Sequence, residues 1–209
     1  MKNFTLLILS IAIVYIVSCI SIVKGEDNTK QLQENIASKI VRFHIIANSD
    51  NEEDQKLKLK VKDSVITYTQ KLLKDSKSLE ETCKIINEHK KQILEIANNV
   101  IRENGYDYST TITYENCYFP AKTYGDITFP PGNYNAFNIR IGEHNGKNWW
   151  CVLYPPLCFV DAIHSVVPDE SKKELETILG YEDYKALIYG VNDEAYNVKI
   201  KFKFLTFLN

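Results

Sequence analysis

The segment Asn148–Asp161, NWWCVLYPPLCFVD, constrains the fold of this chain more than any other stretch. Two tryptophans, two cysteines and a Pro-Pro step lie within fourteen residues. This composition excludes an ordinary strand through the whole segment, so we predict a strand from Trp149 to Tyr154 followed by a turn. Neighbouring side chains on a strand point to opposite faces, and therefore at most one of the two tryptophans is expected in the core.

The N-terminus differs from the rest of the 209-residue chain, because residues 4–23 are almost uninterruptedly apolar. We predict that residues 1–25 form a signal peptide or a membrane anchor. The apolar run is long enough to cross a bilayer, and a lipoprotein-type processing site at Cys19 is a third alternative. In each case we expect the chain to work outside the cytoplasm, with residues 26–38 as a polar spacer or a frayed helix and residues 39–209 as a single domain.

The hydrophobic periodicity of the domain predicts an α+β fold. Apolar residues alternate with Arg42 and His44 in a first strand, and two capping boxes, Ser49 with Glu52 and Ser78 with Glu81, predict a helical hairpin. Later strands are predicted at 108–114, at 137–141 and at 149–154, the last two pairing as an antiparallel hairpin through Asn145-Gly146. Helices from Ser171 to Gly180 and at 184–189 and a last strand at 198–204 complete a mostly antiparallel sheet of about four to five strands, packed against the helical hairpin.

The cysteines allow three interpretations. After the apolar segment, Cys83, Cys117, Cys151 and Cys158 remain, and cysteines of exported proteins usually pair. A bridge between Cys151 and Cys158 would close a short loop, stabilise the fold by roughly 2.5 kcal/mol and hold the Pro-Pro turn in one shape. Pairing of Cys117 with either of them and free, buried cysteines both remain open.

Catalysis and metal binding are less favoured by the pattern. A nucleophilic Cys151 or Cys158 would need His44, His144 or His164 nearby, yet neither cysteine stands at a strand-to-helix elbow. The gap between these cysteines also exceeds the short spacing of structural zinc sites. We therefore predict no catalytic residue, no metal and no cofactor, and keep an exported cysteine-dependent hydrolase as the alternative function.

Binding of a partner protein fits the segment Asn148–Asp161 better than catalysis or metal binding does. A net charge of −2 and a pI near 6.1 lack the basic footprint of a nucleic-acid binder. Tryptophan and tyrosine dominate binding hot spots, because they offer large rigid area with a polar group. A polar row of Arg42, His44, Asn48 and Asp50 forms either an internal network or a second recognition patch.

Three blocks resemble the stage II sporulation protein R family: Val41–Val65, Cys117–Phe137 and Ile141–Asp161. The resemblance implies an exported signalling protein that lies between forespore and mother cell. It implies a membrane-embedded aspartic protease of the mother cell as partner, which then removes the pro-sequence of a sigma factor. It implies neither enzymatic activity nor a small-molecule substrate. We expect the partner to contact Trp149, Trp150, Tyr154, Pro155, Pro156, Phe159, Tyr124, Gly125, Arg42, His44, Asn48 and Asp50.

Overall fold

The structure is a computed structural model that describes residues 15, 28–158 and 167–189. Its helices are α1 (residues 28–37), α2 (Glu52–Leu73), α3 (Leu79–Glu88), α4 (Lys90–Glu103), α5 (Asp169–Leu179) and α6 (Tyr181–Tyr189). Its strands are β1 (Val41–Ile46), β2 (Thr110–Phe119), β3 (Lys122–Tyr124), β4 (Ile127–Phe129), β5 (Gly132–Ile141) and β6 (Asn148–Tyr154). The predicted α+β class is confirmed.

The main sheet has four strands in the order β2-β5-β1-β6. β1 pairs parallel with β5 and antiparallel with β6, and β2 pairs antiparallel with β5. The sheet is therefore mostly antiparallel, as predicted. The predicted hairpin between the strands at 137–141 and 149–154 is wrong, because β1 lies between β5 and β6.

The connection between β5 and β6 explains this arrangement. The N–H groups of Asn145 and Gly146 donate to the carbonyls of Asn48 and Ala47, each at 3.0 Å. A side chain at Gly146 would collide with the backbone carbonyl of Ser49. The Asn-Gly turn thus crosses over the end of β1 instead of closing a two-stranded hairpin.

One face of the sheet, called the helical face, carries α2, α3 and α4. Apolar residues of β1, β5 and β6 pack there against the stripe of α2 and α4 that the sequence predicted, including Leu57, Val61, Ile93 and Ile101. The second predicted helix is interrupted at His89, which ends α3 and precedes α4. The backbone N–H of His89 donates to the Ile85 carbonyl, and its ring Nδ1 lies 2.9 Å from the same oxygen.

Of the two predicted capping boxes, only the one at Ser78 caps its helix. Ser78 caps α3 by accepting a hydrogen bond from the N–H of Glu81, as predicted. Ser49 does not cap α2, whose N-cap is Asn51. The Ser49 hydroxyl accepts from the Asn51 N–H and donates to the carboxylate of Asp54, because the chain enters the helix two residues later than expected.

The opposite face, called the hairpin face, is partly covered by the β3–β4 hairpin and by α1, α5 and α6. The sequence suggested only a loop where β3 and β4 lie, since strands of three residues are too short to show periodicity. Apolar residues from all these elements form a second core, including Leu32, Ile36, Phe119, Phe129 and Leu175. Lys39 ties α1 to the α5–α6 pair, through the Leu179 carbonyl and Asp183.

Residues 28–37 were placed in a polar spacer by the sequence, but Leu32 and Ile36 are buried and belong to the second core. The folded domain therefore includes α1. The predicted strand at 198–204, the recognition residue Phe159 and the apolar segment other than Tyr15 lie outside the described residues. Within the described part of the chain, no helix is both long and apolar enough to span a membrane.

Replacing Ile36 with alanine should lower the free energy of unfolding by about 2–5 kcal/mol, because the side chain is fully buried. Glu34→Ala on the exposed side of the same helix should change it by less than about 0.5 kcal/mol. Denaturant unfolding of the purified chain measures both. Equal stability of the two variants would show that α1 is not part of the folded domain.

Candidate functional site

Five polar residues lie together on the hairpin face, beyond the area that the β3–β4 hairpin covers. We call His44, Glu115, Cys117, Asn138 and Arg140 the polar cluster. The strand register explains their meeting, because His44 of β1 stands beside Asn138 of β5 and opposite Trp150 of β6. On the other side of Asn138, β2 brings in Glu115 and Cys117.

Arg42 is the neighbour of His44 on the same face and is completely buried. Its Nε donates to the Cys151 carbonyl at 3.2 Å, and its Nη2 donates to the Tyr124 hydroxyl at 3.0 Å. The guanidinium carbon lies 4.4–5.8 Å from the ring centroids of four aromatic residues, namely Phe119, Tyr124, Phe129 and Tyr134. Burial lowers the pKa of Arg42, and the rings stabilise the charge by cation–π attraction.

His44 lies between aromatic rings. Its imidazole stacks on Trp150 at a centroid distance of 4.8 Å and an interplanar angle of 6°, and it contacts Phe119 at 5.3 Å. The Asn148 amide nitrogen lies 3.4 Å from Nδ1, and Nε2 lies 3.9 Å from the Cys117 sulfur. Burial lowers the pKa of His44 to about 4, and the ring is neutral at physiological pH.

The remaining residues of the cluster are held by Glu115. Its carboxylate accepts hydrogen bonds from the Asn138 amide and from the Arg140 guanidinium. Asn138 is buried, whereas the side chains of Glu115 and Arg140 are 36% and 30% exposed. The cluster therefore presents an ion pair to solvent above a buried amide and a neutral imidazole.

The pairing of Cys117 with His44 resembles the start of a nucleophilic dyad, but its electrostatics oppose that role. Burial raises the pKa of the Cys117 thiol, and the neutral imidazole of His44 supplies no positive charge to stabilise a thiolate. Cys117 also lies on a strand, away from any helix N-terminus. The residues described here thus hold an unactivated thiol.

Cys151 and Cys158, the two candidate nucleophiles of the sequence analysis, have no free thiol. They form a disulfide with a Cα–Cα distance of 5.1 Å. His144 is exposed in the β5–β6 connection, and His164 lies outside the described residues. No group of three or more potential metal ligands occurs among the residues that the structure describes.

The disulfide-linked turn lies mostly inside the protein. A cis peptide bond joins Tyr154 to Pro155, and among the residues from Cys151 to Cys158 only Pro156 is partly exposed. The Tyr154 hydroxyl donates to the Lys77 carbonyl. Little of the turn itself is available to a partner.

The two tryptophans are both half-buried and lie on opposite faces of the sheet. Trp149 contacts Phe43 on the helical face, with the Lys62 ammonium 5.6 Å from its ring centroid. Trp150 lies on the hairpin face beside the polar cluster, with the Lys122 ammonium 5.8 Å away. The accessible aromatic surface near the cluster therefore belongs to Trp150.

The other residues expected at the partner contact separate into two groups. Tyr124 and the exposed Gly125 form the turn of the β3–β4 hairpin, beside Arg42. Asn48 and Asp50 lie past the end of β1, where their side chains accept hydrogen bonds from the N–H groups of Glu143 and Lys147. The structure thus brings Arg42, His44, Trp150 and Tyr124 together, and leaves Asn48 and Asp50 to hold a connection.

Sequence reasoning missed Glu115, Cys117, Asn138 and Arg140 as parts of this site. The alternation of Asn138 and Arg140 with apolar residues in β5 marked them as one face of a strand. Only the pairing of β5 beside β1 shows that this face is the one that carries His44.

The described elements define a disulfide-containing α+β domain with a preorganised polar cluster on one sheet face. The sequence profile of stage II sporulation protein R matches residues 37–164. The chain belongs to the stage II sporulation protein R family. It is 35% identical over 165 residues to stage II sporulation protein R of Bacillus subtilis (strain 168), with 74% of each chain covered. No solved structure matches the chain.

Acidification should destabilise the protein through His44. The unfolded histidine binds a proton near pH 6.5 and the folded one only near pH 4, so stability falls between these values by about 3 kcal/mol. Denaturant unfolding at several pH values should show this loss in the wild type. His44→Asn should remove the contribution of His44 to the slope of the unfolding free energy against pH.

His144→Gln is the matched control for this measurement, because His144 is exposed and the variant should keep the wild-type slope. A slope that is the same in His44→Asn and in the wild type would show that His44 is not buried in its neutral form.

The thiol of Cys117 should react with a small alkylating reagent at pH 7 at least about tenfold more slowly in the native chain than in the denatured chain. Its raised pKa and partial burial are the reasons. Mass spectrometry after timed labelling measures the rate, and Cys117→Ser assigns the signal. Faster labelling in the native chain would instead indicate an activated nucleophile.

Proposed function

We propose that this chain is an exported signalling protein of sporulation that activates a membrane-embedded receptor protease of the mother cell. The protease then removes the pro-sequence of the mother-cell sigma factor. The chain acts in the space between forespore and mother cell, either secreted or tethered through residues 4–23. Membership of the stage II sporulation protein R family is the observation that carries this proposal.

A ligand of this kind needs a surface that is ordered before binding, because ordering during binding reduces affinity. The disulfide ties the end of β6 to the following turn, and the Cys151 carbonyl accepts from buried Arg42. Arg42 in turn fixes Tyr124 of the β3–β4 hairpin. These contacts support a preorganised surface around the polar cluster and Trp150.

A role as ligand and not as enzyme is supported by the chemistry of the same residues. The thiol of Cys117 has a raised pKa, and the histidine beside it is neutral. Cys151 and Cys158 are bonded to each other. The hydrolase alternative therefore has no activated nucleophile within the described part of the chain.

The accessible groups of the cluster indicate what a receptor would contact. Within the cluster this is the Glu115–Arg140 ion pair, and beside the cluster it is the half-buried Trp150 with the Lys122 ammonium next to it. Tryptophan and arginine are the residue types most enriched in binding hot spots. The receptor surface that fits is therefore aromatic and acidic.

Coexpression with the receptor protease and the sigma-factor precursor in a non-sporulating host tests the proposal, with an immunoblot of the precursor as readout. We expect the precursor to shorten only when all three proteins are present. Lys122→Gln and Arg140→Gln should each lower the processed fraction, with an apparent affinity loss of about tenfold for a lost charged contact of about 1.4 kcal/mol.

Lys91→Gln is the matched control, since Lys91 is exposed on α4 and lies on the opposite side of the sheet. With this variant, the receptor protease should process the same fraction of the precursor as it does with the wild type. An intact precursor in the presence of exported, folded wild-type chain would refute the signalling function. Full activity of both cluster variants would instead refute only the proposed contact surface.

A further inference from the structure

The outer edge of β2 has no strand partner among the residues that the structure describes. β2 pairs residue by residue with β5 over its whole ten-residue length, from Thr110 opposite Ile141 to Phe119 opposite Gly132, without a register shift. No strand among the described residues pairs with its other side. Within the described part of the chain, the backbone N–H and C=O groups on this side of β2 are therefore not used by another strand.

The opposite edge of the sheet shows how this protein closes an edge. β6 has seven residues, its pairing with β1 contains a register shift, and Pro155 and Pro156 follow it. The N–H groups of Leu157 and Cys158 donate to the Val152 carbonyl at 3.1 and 3.0 Å. The chain thus folds back over its own edge strand, which blocks further pairing.

β2 has none of these protections. Its sequence, TTITYENCYF, contains no proline and no lysine, and the strand has no bulge. Long regular edges without such features pair with other strands unless something covers them. The contrast with β6 indicates that β2 is an interaction edge.

The side chains beside this edge are aromatic and uncharged. Tyr114 and Tyr118 are 40% and 62% exposed on the helical-face side, and Asn116 lies between them. Asn116 donates to Asn135 of β5 at 3.2 Å. The single charged residue of β2, Glu115, points to the other face and is neutralised by Arg140.

We propose that β2 pairs antiparallel with β2 of a second copy of this chain, about a two-fold axis at Asn116. In this register each Tyr114 stands opposite the partner copy's Tyr118, so two aromatic cross-strand pairs form. Asn116 of one copy faces Asn116 of the other, and Glu115 of each copy stands opposite Cys117 of the other. Symmetric antiparallel pairing of one strand with itself is an isologous contact, which closes as a dimer.

Charge and aromatic pairing favour this register over those with the two-fold axis at Glu115 or at Tyr114. An axis at Glu115 would place two carboxylates directly opposite each other, which is destabilising. An axis at Tyr114 would place Tyr118 opposite Thr110 and leave one aromatic pair instead of two. The axis at Asn116 buries both exposed tyrosines and opposes no like charges.

Cysteine cross-linking in the exported full-length chain tests the register. Asn116→Cys should give a covalent dimer on a non-reducing immunoblot, because the two introduced thiols face each other across the axis. Thr111→Cys is the control, since Thr111 is exposed on the same strand but its opposite position lies beyond the paired segment. It should give no more dimer than the wild type, whose other thiols, including Cys19 and the half-buried Cys83 and Cys117, set the background.

Sedimentation of the purified exported chain provides a second measurement that introduces no thiol. The wild type should be a dimer at about 10 µM, and Tyr118→Lys should raise the dissociation constant at least about tenfold, since lysine on an edge opposes pairing. Tyr118 is exposed, so at a concentration where both chains are monomeric the variant should unfold at the same temperature as the wild type.

A monomeric wild type at this concentration overturns the proposal, and so does a dimer that neither substitution affects. Cross-linking of Asn116→Cys to the receptor or to another segment of the same chain overturns it as well. Both measurements are independent of sigma-factor processing, so their result does not depend on the proposed signalling function.

Discussion

The guanidinium of Arg42 lies completely buried between the main sheet and the β3–β4 hairpin, with four aromatic rings where water would otherwise be. Burying a cation without a carboxylate costs free energy, which hydrogen bonds and cation–π contacts must offset. These contacts come from β6 through the Cys151 carbonyl and from the hairpin through Tyr124. These contacts form only when β1, β6 and the hairpin are all in place, so one side chain makes three parts of the domain interdependent.

The polar cluster depends on the same arrangement. Phe119 contacts Arg42, His44 and Trp150, so the aromatic packing around the guanidinium continues into the packing around the imidazole. Burial keeps His44 neutral, and Glu115 holds Asn138 and Arg140 in position beside it. The outer surface of the cluster is therefore supported from below by a core that has little freedom to rearrange.

Local sequence patterns predicted the elements well where they are long and amphipathic. The stripe of α2, the cap of α3 at Ser78 and the period-two strands all depend on neighbouring residues, and neighbouring residues are what a sequence pattern shows. The pattern did not predict that β1 lies between β5 and β6, because strand order depends on contacts between distant residues. It also did not show that α1 belongs to the folded domain, because Leu32 and Ile36 are apolar residues in a largely polar segment.

The candidate site was predictable from the sequence only where it depends on neighbouring residues. Arg42 and His44 were recognisable as a polar row on an apolar strand, whereas Glu115, Cys117 and Asn138 belong to the site only through strand pairing. The sequence predicted at most one tryptophan in the core, and both are half-buried. Burial of the intervening turn could not be seen, because the sequence does not show which segments cover it.

The position of β1 at the centre of the sheet has a consequence for the order of folding. Arg42 of β1 pairs with Ala136 on one side and with Val152 on the other, so both partners of the first strand are synthesised much later. Sheets that join distant segments form slowly, because the closure of long loops precedes the contacts that stabilise them. In the export that we propose, this topology would delay the compact state until almost the whole domain has emerged, and would keep the chain competent for translocation.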